Sequence, residues 1–204
     1  MPPTLLAATT NPGKMKEIQA LLAGAPVRLL TLADLPPLPE PDETGATFAD
    51  NARIKALAYA EATGLATVAE DSGLEIDALG GEPGIHSARY PGATYPDKFA
   101  HLYARLDTHP RPWTARFVCE LACAGGGTML FTSRGTVEGE IAWPPKGEHG
   151  FGYDPMFFYP PYGRTLGEVS GVEKLAVVHR GKAFRAFRQW LESAGQSLAM
   201  FEKP

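Results

Sequence analysis

The chain has 204 residues, 44% of them hydrophobic, 10% aromatic and 21% charged, which suits one substantial core or two small lobes and excludes a disordered or collagen-like chain. Lys plus Arg is 19 and Asp plus Glu is 23, a net charge of −4, so a nucleic-acid polymer is not an expected partner, although a local basic cleft for one phosphate-bearing ligand is compatible with it. No stretch approaches the roughly 18 consecutive apolar residues of a membrane helix, and Met1-Pro2-Pro3-Thr4-Leu5-Leu6 lacks the pattern of a signal peptide, so a cytoplasmic protein with no membrane partner is expected.

Thr4 to Ala8 is a short apolar run, and beyond the turn-like Thr9-Thr10-Asn11-Pro12-Gly13 the residues Met15, Ile18, Leu21 and Leu22 recur at helical spacing. Val27 to Leu30 reads as a second strand, followed by a loop whose Pro36, Pro37, Pro39 and Pro41 forbid a helix. Thr47 to about Thr63 is Ala-rich and reads as a helix, with Asn51 and Lys55 sharing one surface of it. Leu65 to Ala69 predicts a buried strand that ends in a turn at Glu70-Asp71-Ser72-Gly73, with Leu74-Glu75-Ile76 resuming beyond it.

Leu79 to Pro96 is rich in Gly and Pro and predicts a long loop, and a helix follows near Asp97 to Leu106. Ala115 to Ala124 alternates, Gly125-Gly126-Gly127 makes a turn, and Thr128 to Glu138 returns as the partner strand of a hairpin. Cys119 and Cys123 fall on one face of that strand, roughly 13 Å apart, too far for a disulfide, and read as small buried apolar residues. Trp143 to Gly163 reads as another loop, and the chain ends in a helix carrying Ala183, Phe184, Phe187, Trp190 and Leu191. This order predicts an α/β fold, an elongated mixed β-sheet flanked by helices, as a single domain over 1–204 with two lobes and a central active-site cleft.

Three groups of residues are suited to chemistry. Thr9-Thr10-Asn11-Pro12-Gly13-Lys14 lies between a strand and a helix, where free backbone N–H groups favour an anion and Lys14 adds a point charge; it is not a Walker A loop, because Met15 follows the lysine. Asp42, Glu43, Glu70 and Asp71 are hard oxygen donors of the kind that suits magnesium, which takes one or two carboxylates with phosphate and water. Ser72 has no Gly-x-Ser-x-Gly elbow and is not read as a nucleophile. Phe151-Gly152-Tyr153-Asp154-Pro155, Glu173-Lys174 and His179-Arg180-Gly181 combine rings that can stack on a base with donors for its carbonyl edge. Taken singly, the same residues read as a helix-starting turn, solvated acids and core aromatics.

Together and in order they resemble the inosine triphosphate pyrophosphatase family, hydrolases of noncanonical purine nucleoside triphosphates. The motifs are Thr9 to Lys14 with Glu17; Glu43-Thr44-Gly45 with Phe48, Asn51, Ala52 and Lys55; Asp71-Ser72-Gly73-Leu74; Gly80 to Ile85 with Ser87-Ala88-Arg89-Tyr90; Phe151 to Pro155; and Glu173-Lys174 with His179-Arg180-Gly181. The resemblance implies hydrolysis of ITP, dITP or XTP to the monophosphate and pyrophosphate with Mg2+, by a homodimer. It assigns the phosphates to Thr9, Thr10, Asn11, Pro12, Gly13, Lys14 and Lys55, the metal to Asp42 or Glu43 with Asp71, and the water's proton to Asp71. Ser72, Phe151, Gly152, Tyr153, Asp154, Lys174, His179 and Arg180 are assigned to the nucleotide, chiefly its base. Three positions depart from the common family pattern: Glu70 precedes Asp71 where Asp is usual, Asp42 stands for Glu, and Val178 stands for Ser. A pyrophosphatase of another nucleotide, a general nucleoside triphosphatase and a catalytically silent nucleotide sensor are the rival readings.

Overall fold

The computed structural model describes residues 2–198. Seven strands form one mixed sheet: β1 (Thr4–Ala7), β2 (Arg28–Thr31), β3 (Ala66–Ile76), β4 (Thr114–Gly125), β5 (Thr128–Ile141), β6 (Phe157–Tyr159) and β7 (Arg164–Thr165). They hydrogen-bond in the order β2-β1-β3-β4-β5-β6-β7. β1 pairs in parallel with β2 and β3, with Leu5 opposite Leu29 and Ala66, whereas β6 is antiparallel to both β5 and β7. The expected mixed α/β sheet is therefore present, as is the hairpin of β4 and β5, whose turn uses Gly126 and Gly127 at positive φ.

Among the described residues five α-helices accompany the strands: α1 (Pro12–Leu21), α2 (Phe48–Thr63), α3 (Tyr95–Leu106), α4 (Gly171–Val177) and α5 (His179–Leu198). Their starts follow capping chemistry. Asn11 and Thr47 accept from the backbone N–H three residues on, and Thr94 with Asp97 and Ser170 with Glu173 form reciprocal capping boxes. α2 stops where Gly64 takes a left-handed conformation at φ +70°.

Contacts divide the chain into two compact units. Among the described residues, the first is built from those up to Asp71, Cys119–Gly135 and those from Arg180 on; the second from Ser72–Val118 and Thr136–His179. In the first unit, Ala66 and Val68 pack with Ile18 of α1, Leu22 at its C-cap, and Phe184, Phe187 and Leu191 of α5, while Ala69 packs with Ala52, Ala56, Tyr59 and Ala60 of α2. Alternate residues of β3 thus meet different helices, as strand geometry requires. Cys119 and Cys123 are buried free thiols that pack with Leu121 in the α1 and α5 cluster, as their shared face predicts. The second unit has its own core, centred on Leu74, Ile76, Leu102, Leu106, Met156 and Phe157.

Two expectations are corrected. Glu70-Asp71-Ser72-Gly73 is not a turn: β3 runs unbroken from Ala66 to Ile76, and the acidic pair lies inside it rather than at its end. β3 has neighbours on both sides, so ladder bonds hold the backbone extended, and the cations described below offset the buried charge. The segment read as a loop from Trp143 to Gly163 contains β6, which is too short, at three residues, to show alternation.

Candidate active site

The loop from Thr9 to Lys14 is fastened by its own side chains. The Asn11 N–H donates to Thr9 Oγ1 at 3.2 Å, and Asn11 Oδ1 accepts from the Lys14 N–H at 3.1 Å. Pro12 occupies the first turn of α1, where its missing N–H costs nothing. The result is a capped helix N-terminus carrying Lys14 in its first turn, the local geometry that accepts an anion.

Glu70 and Asp71 are consecutive in β3, so they leave opposite faces of the strand and enter different surroundings. On the α2 side, Asn51 Nδ2 donates to Asp71 Oδ2 at 3.2 Å, and Lys55 Nζ donates to Glu43 Oε1 and lies 3.5 Å from Asp71 Oδ1. Asn51 Oδ1 also accepts from the Gly45 N–H at 2.9 Å, tying the Glu43-Thr44-Gly45 loop to the same helix. On the other side, Glu70 Oε1 receives Lys14 Nζ at 3.0 Å and Arg180 Nη2 at 3.2 Å, and Arg180 Nη1 donates to Glu17 Oε2. Asn51 and Lys55, which share one surface of α2, therefore both reach Asp71, and Glu43 joins them; Asp42 is exposed and outside that cluster.

Environment separates the two acids. Burial raises the Asp71 pKa, Glu70 and Glu43 add to the rise, and Lys55 and Lys14 only partly oppose it. For Glu70 burial acts the same way, but Arg180, Lys14 and Lys55 outweigh it and hold the carboxyl far below the usual range. Burial would lower Lys55, yet Asp71, Glu43 and Glu70 reverse that and raise it, so its ammonium is retained. The burial penalty for these charges is met by pairing.

The second unit gathers the base-facing candidates. Lys174 Nζ donates to Asp154 Oδ2 at 2.6 Å and lies 4.4 Å from the centre of the Phe151 ring, with both charged side chains almost wholly buried. Asp154 Oδ2 also accepts from the Phe151 N–H at 2.7 Å, closing the Phe151-Gly152-Tyr153-Asp154 turn on itself. Gly150 is required here: at φ +75°, a Cβ would come within 2.1 Å of Asp154 Oδ2. Tyr153 is a core residue instead of a stacking surface, since it is 4% exposed, packs edge-on to Tyr95 and donates to the Ser87 carbonyl at 2.8 Å. Phe151, half-buried, keeps the stacking role open. His179 is buried and stacks on Phe117, with ring centres 5.0 Å apart. Ser72 is half-buried in β3.

Arg180 is likewise buried, and its guanidinium is engaged by Glu17 and Glu70, partners that were not expected of it. Glu17 and Asn51 are the functional neighbours that sequence reasoning left out of the site. Spacing offered a signal for both: Glu17 lies three residues after Lys14 and Asn51 four before Lys55, each pair on one helix face.

Among the described residues no three His, Cys, Asp or Glu side chains are gathered into an ion-holding cluster. Glu43 and Asp71 nevertheless converge on one cation, the Lys55 ammonium, and two carboxylates suit magnesium shared with substrate phosphates. A separate hollow of about 630 Å³ in the second unit, lined by Phe99, Tyr103, Trp113 and Trp143, contains none of these residues. No described helix is long and apolar enough to cross a membrane.

The model of the Ham1 family matches residues 5–190. A dITP/XTP pyrophosphatase of Exiguobacterium sp. is 46% identical over 183 residues, covering 89% of this chain and 93% of that protein. One from Thermus thermophilus is 47% identical over 184 residues, covering 89% and 88%. The structure of a HAM1 protein from Coxiella burnetii superposes with a TM-score of 0.85 at 36% identity, over 94% of this chain and all of that one.

Proposed function

The chain belongs to the Ham1 family, and from that premise we propose that it is a hydrolase that splits dITP, ITP and XTP into the nucleoside monophosphate and pyrophosphate. The observation that carries the reading is the arrangement around Asp71: a buried carboxylate inside β3, oriented by Asn51 and flanked by Lys55 and Glu43. Relatives over most of the chain are named dITP/XTP pyrophosphatase, which supports the substrate class.

In this reading the loop Thr9-Thr10-Asn11-Pro12-Gly13-Lys14 and Lys55 bind the triphosphate, offering N–H groups and two ammonium charges to its oxygens. Asp71 accepts a proton from the attacking water as the new oxygen–phosphorus bond forms at the α-phosphorus and the bond to the leaving pyrophosphate breaks. Its burial makes it a stronger base than an exposed aspartate, and Asn51 keeps it aimed. Glu43 and Asp71, with Asp42 nearby in the chain, would hold the magnesium ion, which when bound acidifies water and screens phosphate charge.

Ser72, Phe151, Gly152, Tyr153, Asp154, Lys174, His179 and Arg180 take the nucleoside. Phe151 offers a stacking face, Tyr153 and Asp154 shape and hold the turn, and Lys174 and His179 supply donors to the carbonyl at purine position six. A guanidinium has five N–H donors, so Arg180 can serve the base while Glu17 and Glu70 hold it. The homodimer rests on the family resemblance and the cytoplasmic location on the N-terminal sequence pattern, and light scattering of the purified protein tests the first.

Pyrophosphate release from dITP, ITP, XTP, ATP and GTP, measured with and without magnesium, tests the whole. Strong preference for the first three with dependence on the metal is expected. Equal rates on ITP and ATP would refute the substrate reading, and full activity in chelator would remove the metal from it.

A further inference from the structure

Glu70 takes no part in the chemical step, yet it is among the most completely buried acids of the described residues and sits beside the proposed base. Its side chain is 0% exposed, and both oxygens are engaged by protein groups: Oε1 by Lys14 Nζ and Arg180 Nη2, Oε2 by Cys119 Sγ at 3.4 Å. It faces away from the Asn51, Lys55 and Glu43 group, on the other side of β3 from Asp71. A share in the metal or in the proton transfer does not fit that placement.

Lys14, Arg180, Glu17 and Glu70 form a neutral quartet, two cations against two anions, inside the first unit. Exposure across it is graded, from 0% at Glu70 and 1% at Arg180 to 17% at Lys14, so Lys14 is its solvent-facing member. That lysine belongs to the first turn of α1, next to the N–H groups that greet an anion. We infer that Glu70 is the resting counter-ion of Lys14, from which the ammonium is handed to the incoming triphosphate and to which it returns as pyrophosphate leaves. Arg180, anchored by Glu17, keeps Glu70 in place during the exchange. The inference rests on the proposed phosphate role of Lys14.

A counter-ion competes with the ligand, so its removal tightens anion binding; a residue that merely supports the fold would leave binding unchanged or weaken it. The test is pyrophosphate as an inhibitor of the full-length enzyme. Glu70→Gln keeps shape and removes charge, and is expected to lower the pyrophosphate inhibition constant roughly tenfold. The same variant lowers kcat as product release slows, while Glu70→Asp, which restores the charge, brings the inhibition constant back toward the wild-type value. An inhibition constant that is unchanged or higher in Glu70→Gln overturns the inference. Lys14→Ala distinguishes the two levels: if it fails to weaken pyrophosphate binding, the phosphate reading of Lys14 itself is wrong. Should Glu70→Gln not fold, a crystal structure of the wild-type enzyme with pyrophosphate decides. Lys14 Nζ is expected on a phosphate oxygen and more than about 4 Å from Glu70, and a retained Lys14–Glu70 pair refutes the hand-off.

Discussion

Two neighbouring acids, Glu70 and Asp71, carry opposite energetic signatures, and this gives predictions of opposite sign. Asp71 is raised, chiefly by burial, so its ionised form is costly to the folded state; Asp71→Asn is expected to cut kcat by about a hundredfold or more while leaving the melting temperature equal or higher. Glu70 has a depressed folded value. Its stabilisation is therefore present above the ordinary carboxylate range and is lost as pH falls through that depressed value, so it is fully in force at neutral pH. Glu70→Gln leaves Arg180 short of a partner and is expected to cost about 3–5 kcal/mol, a fall in melting temperature of roughly 10 °C. Thermal melts of both variants at pH 7 check the contrast, and destabilisation of both alike would contradict it. The same environment sets the pH dependence of turnover. Protonated Asp71 cannot accept from water, so the acid limb of kcat/KM lies above that of an exposed aspartate, and Lys55→Met, which removes a lowering charge, moves it further toward neutral pH.

At the scale of elements, the outcome depended on whether a signal was local. The starts of α1 and α2 were legible because Asn11 and Thr47 cap by contacts within three residues, and the β4–β5 hairpin because Gly126 and Gly127 mark its turn; α3 begins at Tyr95, two residues before the expected start, since its cap Thr94 falls in a stretch of loop composition. The continuity of β3 was not, since Glu70-Asp71-Ser72-Gly73 carries turn composition, and what keeps it extended lies on neighbouring strands and on Lys14, Lys55 and Arg180. For the same reason the chemistry-bearing residues were found but not all their partners: the pairing of Arg180 with Glu17 spans 163 residues of chain. The turn from Phe151 to Asp154 gives the element-scale test. Gly150→Ala forces a Cβ against Asp154 Oδ2 at a backbone angle unsuited to it, which displaces the carboxylate that holds Lys174. Efficiency on ITP is expected to fall at least about tenfold, as loss of a charge-assisted contact of about 1.5–3 kcal/mol implies, with the ITP to ATP ratio falling too. A variant that keeps the wild-type ratio would show that the turn does not serve base recognition.

For the whole molecule, the division of the chain into two compact units matters because it divides the proposed labour. The phosphate-directed group, Thr9 to Lys14 with Lys55, Asp71 and Glu43, belongs to the first unit, and Phe151, Tyr153, Asp154, Lys174 and His179 belong to the second, with its own core. Each group is anchored by contacts inside its own unit: Lys55 by Glu43 and Asp71, Lys174 by Asp154 and Phe151. Substitutions in different units with no shared partner add in free energy, so phosphate binding and base discrimination should be separable. Lys174→Met is expected to erode the preference for ITP over ATP while leaving inhibition by pyrophosphate, which has no base, within about twofold of wild type. Lys55→Met is expected to do the reverse, weakening pyrophosphate inhibition while the ITP to ATP ratio holds, because the lost charge serves every triphosphate alike. A fall in both quantities in either variant would show that the two tasks are coupled.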